Sequence, residues 1–313
     1  MSVDRVATNS QSNYMLSQIA KANSKLQESE MQVSSGKAAD TYAGFGDKTA
    51  ALEGARVAAQ RADAYQTSTG LAVTQTDLQD TQLTTLAGLA TQLQTAIQKA
   101  VANSDGTDLM NQADSIFQQA AQILNSTDSN GNYIYGGSKT DQKPFTATSL
   151  SDLASPATVA SFFQNDQSKK VVQVGDGQSE TVGVLASDVG TDLMTALQKL
   201  YNLDGGTGSY ANTLTTTQTD ALTNTVLPDA KKAGDTLNSA TALNGDTYTN
   251  LKSAITNQQT MSKLYTGFVS DIEDVDMGQA LTNLSMNQTA LQAVLSVTAR
   301  LNNLTLLDYL PTT

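Results

Sequence analysis

The sequence predicts a mainly α chain with a small β-containing insert, elongated, with its long N- and C-terminal helices paired as a coiled coil, a further helical bundle behind them and an outward β domain. Three observations predict it. Apolar residues make up 39% of the 313 and aromatics 5%, with no Trp, which suits narrow seams between long helices better than one large interior. At both ends of the chain the apolar residues recur at alternating spacings near three and four, the mark of a helix with one sticky side. Only in the middle, over about 131–186, does the pattern change to β-branched runs and turn-forming pairs.

Taken in order, Met15, Ile19, Ala22, Leu26 and Val33 draw a stripe along a first helix from about Ser12 to Val33. The glycine-bearing "SSGKAAD" (Ser34 to Asp40) and "YAGFGDK" (Tyr42 to Lys48) break it and mark a joint. A second helix is predicted from about Thr49 to Val101, with Leu71, Leu78, Leu86, Leu89, Leu93 and Ile97 on its apolar side, ended by "NSDGTD" (Asn103 to Asp108). A third follows, carrying Leu109, Ala113, Ile116, Ala120 and Ile123 one turn apart with Met110, Phe117 and Leu124 beside them, so the two read as an antiparallel hairpin.

Asn130-Gly131 opens the irregular region, and "KVVQVGDGQSETVGVL" (Lys170 to Leu185) places two β-branched runs around Asp176-Gly177, a hairpin turn. Helical spacing resumes at Val189, Leu193, Leu197 and Leu200; "LDGGTGS" (Leu203 to Ser209) reads as a flexible link. It continues through Leu214, Leu222, Leu237, Leu243, Leu251, Ile255, Leu264 and Phe268, with Pro228 as an interruption or helix start. The last helix, Met277 to Tyr309, is roughly 50 Å long at 1.5 Å per residue. Met277, Leu281, Leu284, Leu291 and Leu295 keep its stripe, joined by Val294, Leu301 and Leu304, while Gln288, Thr298 and Asn302 interrupt it. Its natural mate is the N-terminal stripe.

This divides the chain into a terminal coiled-coil assembly domain (1–48 and 271–313), a helical rod domain (49–130 and 187–270) and a β-containing outer insert (131–186). The polar interruptions make the paired ends marginal alone, so further copies of the same ends are expected to satisfy their apolar edges. The expected assembly interface is Met15, Ile19, Leu26, Val33, Met277, Leu281, Leu284, Leu291, Val294, Leu295, Leu301 and Leu304, with Leu306, Leu307 and Leu310 in the tail.

Composition narrows the function classes. A net charge of -12 without any Lys/Arg cluster argues against nucleic acid and anionic membrane as partners. No apolar run approaches the roughly 20 residues of a membrane span, and "MSVDRVATNS" lacks the features of a cleaved signal peptide. Absence of Cys and His removes thiolate nucleophiles, disulfides and the commonest general base and metal ligand. Ser-Lys or carboxylate chemistry remains open, but the expectation is no enzyme and no cofactor.

Two motifs invite chemistry and fail on spacing. "GGSKT" (Gly136 to Thr140) resembles a phosphate loop, yet Ser138 and Tyr133 stand where glycines are required. The acids Asp271, Glu273, Asp274 and Asp276 could suggest calcium, but counting back from Gly278 puts Val275 and Met277 at ligand positions. No metal is expected. Acids here favour the positive end of the following helix.

Some strings carry a resemblance. "VSSGKAAD" (Val33 to Asp40) is similar to the N-terminal motif of the flagellin superfamily, and "SDIEDVDMGQALTNLSMNQTALQAVLSVTARLNNLTLLDYL" (Ser270 to Leu310) to its C-terminal signature. "YIYGGSKTDQKPF", with Tyr133, Tyr135, Gly136, Gly137, Pro144 and Phe145 as landmarks, resembles the string after the second core helix in the FlgL family of hook-filament junction proteins, the third hook-associated proteins. "TYAGFGDKTA" departs from the superfamily, which shows an Arg and a paired-Asp turn there.

The resemblance implies an extracellular structural adaptor of the bacterial flagellum. It would join hook to filament through the first hook-associated protein, flagellin and copies of itself, after export by the type III route with an export chaperone and no cleaved signal peptide. The alternatives are flagellin itself and a helical surface adhesin using the β insert.

Overall fold

Seven α-helices and one β-hairpin, joined in part by short 3-10 and π turns, make up the regular structure of the described residues. The computed structural model describes the backbone of residues 3–154, 156–205, 210 and 213–307, and the side chains of these from 10 to 300. The helices are α1 (Val3–Ser35), α2 (Thr49–Asn103), α3 (Leu109–Leu124), α4 (Ala186–Asp204), α5 (Thr216–Ala221), α6 (Leu227–Glu273) and α7 (Met277–Leu307); the strands are β1 (Lys170–Gly175) and β2 (Gln178–Val182). The chain is mainly α with a small two-stranded insert, as its periodicity predicts. It divides into two units, Met1–Arg61 with Thr260–Thr313, and Ala62–Gln259.

In the unit spanning 62–259 the fold rests on the antiparallel pairing of α2 with α6. The buried residues of α2 step by sevens: Ala62, Thr69, Thr76, Leu83, Ala90 and Ile97 along one line, Ala72, Gln79, Leu86, Leu93 and Ala100 along the other. A strict step of seven holds one seam against a neighbour. Leu71 and Leu78, expected on that seam, are 70% and 41% exposed. Each lies one residue before a seam position, about 100° around the helix. On α6 the line runs through Ala230, Leu237, Asn244 and Leu251, and Leu243 is exposed for the same reason.

Asp105 accepts the Thr107 backbone N–H at 2.9 Å in the turn after α2. There α3 enters and returns Leu109, Ala113, Ile116, Phe117, Ala120 and Leu124 to the core that Leu93 and Ile97 line. Most of the rest of that core is closed by α4, by Ile134, Tyr135, Phe145, Leu150, Leu153 and Val159, and by Leu222 and Val226 ahead of α6. The hairpin turns at Asp176-Gly177 and forms a second cluster, Val172, Val174 and Val182 on Ala72, Val73 and Leu251. Gln258 Nε2 donates to the Val174 carbonyl at 2.9 Å and Tyr65 to Asp176 at 2.9 Å, fixing the hairpin on both long helices.

Pro228 stands at the start of α6, one of the two roles expected of it. A π turn over Leu222–Val226 joins α5 to α6 directly, and the proline sits in the first turn of α6. The wider turn accommodates a residue that lacks an N–H and crowds the preceding turn. Of the link predicted at Leu203 to Ser209, α4 holds Leu203 and Asp204, Gly205 caps it in the left-handed region, and 206–209 lie outside the described residues.

Candidate assembly surface

The unit formed by 1–61 and 260–313 is organised around α1 packed on α7. Along α1, Met15, Ile19, Ala22, Leu26, Ser29 and Val33, spaced four and three alternately, are half-buried or buried, with Gln18, Met31 and Gln32 half-buried beside them. Along α7, Ala280, Leu284, Asn287, Leu291, Val294 and Thr298 follow the same alternation, with Asn283 half-buried beside them. This is the heptad seam of an antiparallel two-helix coiled coil. Among the predicted residues, Met15, Ile19, Leu26, Val33, Leu284, Leu291 and Val294 line it. Met277, Leu281 and Leu295 lie beside it and stay 43%, 51% and 47% exposed.

The side chains of Leu301, Leu304, Leu306 and Leu307 lie outside the described residues, as does the whole of Leu310. Of the expected polar interruptions, Thr298 is on the seam, Gln288 is exposed next to it and the Asn302 side chain is not described. Sequence reading missed the central polar layer. Asn287 Nδ2 donates to Ser29 Oγ at 2.7 Å and to the Lys25 carbonyl at 3.3 Å, and the Ser29 hydroxyl donates to that carbonyl at 3.0 Å. The seven-residue step from Ala280 to Asn287 to Val294 is the signal that finds it.

At the joint, Gly36 ends α1 in the left-handed region at φ +71°, with its N–H on the Gln32 carbonyl at 2.9 Å. The chain then pairs with the break between α6 and α7. Ala38 N–H donates to the Glu273 carbonyl at 2.7 Å and Val275 N–H to the Gly36 carbonyl at 2.9 Å. Glu273, its side chain 8% exposed, takes an ion pair from Lys37 and another from Arg56 at 2.7 Å. Hydrogen bonds from Lys37 and then Arg56 hold its carboxyl below the usual carboxylate range, against the opposing effect of burial. Arg56 also reaches Glu53 at 3.2 Å and the Tyr42 hydroxyl at 3.1 Å. Asp276 caps α7 by accepting the N–H groups of Gly278 and Gln279 at 2.8 and 3.1 Å, the role expected for an acid at a positive helix end.

Much apolar surface in this unit stays uncovered. Tyr14, Leu16, Val57, Met261, Leu264, Phe268, Met286 and Val297 are 45–64% exposed. Leu264 and Phe268 were expected in an apolar pattern on α6, and the chain itself leaves them open. A mostly apolar hollow of about 340 Å³ lies there, lined by Ala51, Gly54, Ala55, Tyr265, Phe268 and Ile272 with Asp271. Among the described residues no cluster of three or more acidic, His or Cys side chains could hold a metal ion, and no helix is long and apolar enough to cross a membrane.

Residues 229–310, spanning nearly all of α6 and α7, match the family model of the bacterial flagellin C-terminal helical region. The chain thus has a flagellin-type C-terminal region. Its fold is shared with a putative flagellar hook-associated protein from Vibrio parahaemolyticus, at TM-score 0.60 and 13% identity over 72% of this chain and 97% of that one. FlgL of Bacillus cereus follows at 0.53 and 16% identity (70% and 98% covered), and FlgL of Xanthomonas campestris at 0.54 and 14% (68% and 99%). No curated protein matches in sequence.

In this FlgL-like fold the central string is a packed knot. Tyr135 and Phe145 are 0% and 1% exposed; Pro144 is buried and Tyr133 half-buried. The Phe145 ring meets those of Phe163, Phe117 and Phe162 at 5.0, 6.1 and 6.4 Å. Burial raises the Tyr135 hydroxyl pKa strongly. A β-carbon on Gly136 would stand 2.5 Å from the Lys139 carbonyl, and one on Gly137, at φ +72°, 2.2 Å from Asp166 Oδ1. Both positions therefore exclude other residues. Asn125, which composition does not single out, clamps Phe145 by accepting its N–H at 3.0 Å and donating to its carbonyl at 2.8 Å.

Proposed function

We propose that this chain is a non-enzymatic structural subunit of the bacterial flagellum, an adaptor of the FlgL kind that joins hook to flagellin filament. The observation that carries the reading is the coincidence of two features on α6 and α7. The segment matching the flagellin C-terminal region is also the segment that exposes Leu264, Phe268, Met277, Leu281 and Leu295. Patches of this kind mark surfaces covered by partner proteins. The fold shared with hook-associated proteins supports the adaptor role over a general surface protein.

On this reading the assembly domain is 1–48 with 271–313, the rod 49–130 with 187–270, and the insert 131–186 faces outward. The interface comprises Met15, Ile19, Leu26, Val33, Met277, Leu281, Leu284, Leu291, Val294, Leu295, Leu301 and Leu304 with the tail leucines 306, 307 and 310. The partners are the first hook-associated protein, flagellin and copies of this chain. The chain leaves the cell by the flagellar export route, held before export by a chaperone, and acts outside the cell without cofactor, nucleic acid or membrane.

The flagellin C-terminal match is equally at home in a filament subunit, so flagellin is the second reading. Deleting the gene separates them. For an adaptor, hooks remain and flagellin appears in the culture supernatant on an immunoblot, because no hook tip presents a template. For flagellin, the filament protein vanishes from both cell and medium. Filaments of normal length would sink both readings and favour the adhesin.

A further inference from the structure

We infer that the hollow between the start of α2 and the end of α6 takes the outer face of α7 from a second copy of this chain, with Val297 in the hollow and Arg300 on Asp271. The inference rests on the reading of the terminal helices as assembly surfaces, and it names which face meets which.

The hollow is open and shaped for a side chain. Ala51, Gly54 and Ala55 form one wall of small residues, and Tyr265, Phe268 and Ile272 form the other. Upstream on α6, Met261 and Leu264 are 45% and 48% exposed, so an apolar groove runs from Met261 to Ile272. At its end stands Asp271, exposed and without a hydrogen bond or ion pair to any described residue. Such a groove fits an apolar helix face that ends in a cation.

The outer side of α7 is a face of that kind. Met286, Ala290, Ala293 and Val297, each one residue before a seam position, form a second stripe about 100° around the helix. All four are exposed, Met286 and Val297 at 55% and 54%. Arg300 follows one turn later, exposed and likewise without a described partner, and it is the only charged residue of α7. Stripe and groove are each about 16 Å long, and placing Arg300 at Asp271 overlays them to within one turn. The two helices must then run parallel, because an antiparallel α7 would carry its stripe past the end of α6 at Glu273.

The other outer faces of the terminal pair fit less well. Those flanking the α1 seam carry Lys21, Lys25 and Glu28 on one side and Asn23, Gln27 and Glu30 on the other. The second flank of α7 is broken by Ser285, Gln288 and Gln292 between Leu281 and Leu295. The exposure of both Phe268 and Val297 shows that one chain does not bring groove and stripe together by itself. Between copies the contact is heterologous. A copy that fills its neighbour's hollow still offers its own, so the association extends as a line of subunits.

The test mixes two full-length chains, each with one introduced cysteine on a background that has none. The first carries Gly54→Cys, where a new β-carbon meets nothing within 4 Å. The second carries Val297→Cys, a near match in size. A disulfide between the two reports contact between copies and cannot form within one. When the chains are concentrated together under mild oxidation, the mixed dimer should exceed by about fivefold that formed with Lys21→Cys, on the solvated side of α1. Arg300→Asp on the second chain, or Asp271→Arg on the first, should each lower the yield about fivefold, and the two reversals together should restore it. Both residues are exposed, so helix content by circular dichroism should stay unchanged. No excess over the Lys21→Cys partner would overturn the inference, as would single reversals without effect or a loss that the double reversal fails to restore. Abolition of the mixed dimer by equimolar flagellin would overturn it too, by making the filament subunit the occupant. An adaptor phenotype in the deletion strain together with no mixed dimer would strike this contact alone and leave the flagellar reading standing.

Discussion

The two units of this chain solve the same problem with opposite outcomes. In 62–259 long helices bury their stripes against the protein's own α3, α4 and hairpin, so that Leu86, Leu93, Phe117, Phe145 and Leu197 are all at most 1% exposed. In 1–61 with 260–313, only Leu52, Ala55 and Ala280 among the described apolar residues are buried. Among the described residues, twelve of the seventeen large apolar side chains that remain exposed belong to this smaller unit, which makes it the place where the chain depends on something else to cover it. Two helices in water bury one face each; a third and fourth layer are needed to close the rest. The difference teaches that periodicity finds helices of both kinds, but only the count of covering elements separates a core from a surface.

The largest effect that breaks the comparison is in the closed unit. Phe145→Ala removes a ring packed on three others and should cost about 3–5 kcal/mol, lowering the thermal midpoint by about 10 °C in a calorimetric scan. Hydrogen exchange in α1 and α7 should hardly change. If α1 and α7 lose protection equally, the units are one cooperative system and the comparison fails.

Second in size is a charge in the open unit. Leu291→Asp places a carboxylate in the α1–α7 seam and should abolish the protection of both helices while the midpoint of the closed unit stays put. Leu295→Asp, on a residue 47% exposed, should alter stability by no more than about 0.5 kcal/mol. It should nevertheless block incorporation into the appendage, read by electron microscopy of the hook tip. Normal incorporation of that variant would remove Leu295 from the assembly surface.

How much of this was legible beforehand depends on what fills each seam. The start of α2 at Thr49, the whole of α3 and the turn at Asp176-Gly177 follow from punctuation and strong periodicity. Where Ala, Thr, Gln or Asn occupy the seam, hydrophobicity points to the wrong residue. Leu71, Leu78 and Leu243 attract attention, and Ala72, Gln79 and Asn244 do the packing. Extending the seven-residue step back from Leu83, Ala90 and Ile97 would have found them, because a sustained seven-residue step keeps one face of a supercoiling helix on its neighbour. The Asn287 layer was missed for the same reason. The joint was readable as a break but not as a lock, since Lys37, Arg56 and Glu273 are far apart in sequence and meet only once the helices fold.

A smaller effect tests that lock. Glu273 carries a depressed pKa in the folded chain, so its contribution is fully present above its ordinary value of 4.5 and is lost as pH falls through the lower folded value. Protection of residues 36–38 and 274–280 should therefore be flat from neutral pH to about 5 and decline below about 4.5, ahead of the closed unit. Glu273→Gln should lower that protection by about 1–3 kcal/mol at neutral pH and flatten its acid dependence. An unchanged acid profile in the variant would assign the transition to other carboxylates.

The smallest effect is at the first turn of α7. Asp276 alone satisfies the N–H groups of Gly278 and Gln279, two of the four donors that a helix start leaves without internal partners. Asp276→Ala removes both bonds and the negative charge facing the positive end of the helix, and should cost about 1 kcal/mol. Asp276→Asn keeps a capping oxygen without the charge, so it should lose only a few tenths of a kcal/mol. In the closed unit a loss of this size would be spread over a cooperative transition and show as a small shift in midpoint. In the open unit α7 packs along α1, so the loss should appear locally, as about fivefold faster exchange in residues 278–284 with no change in α2 or α3 amides. Equal slowing or speeding across both units would mean that α7 opens only when the whole chain does. That result would contradict the division between a closed body and open ends more directly than any of the larger substitutions.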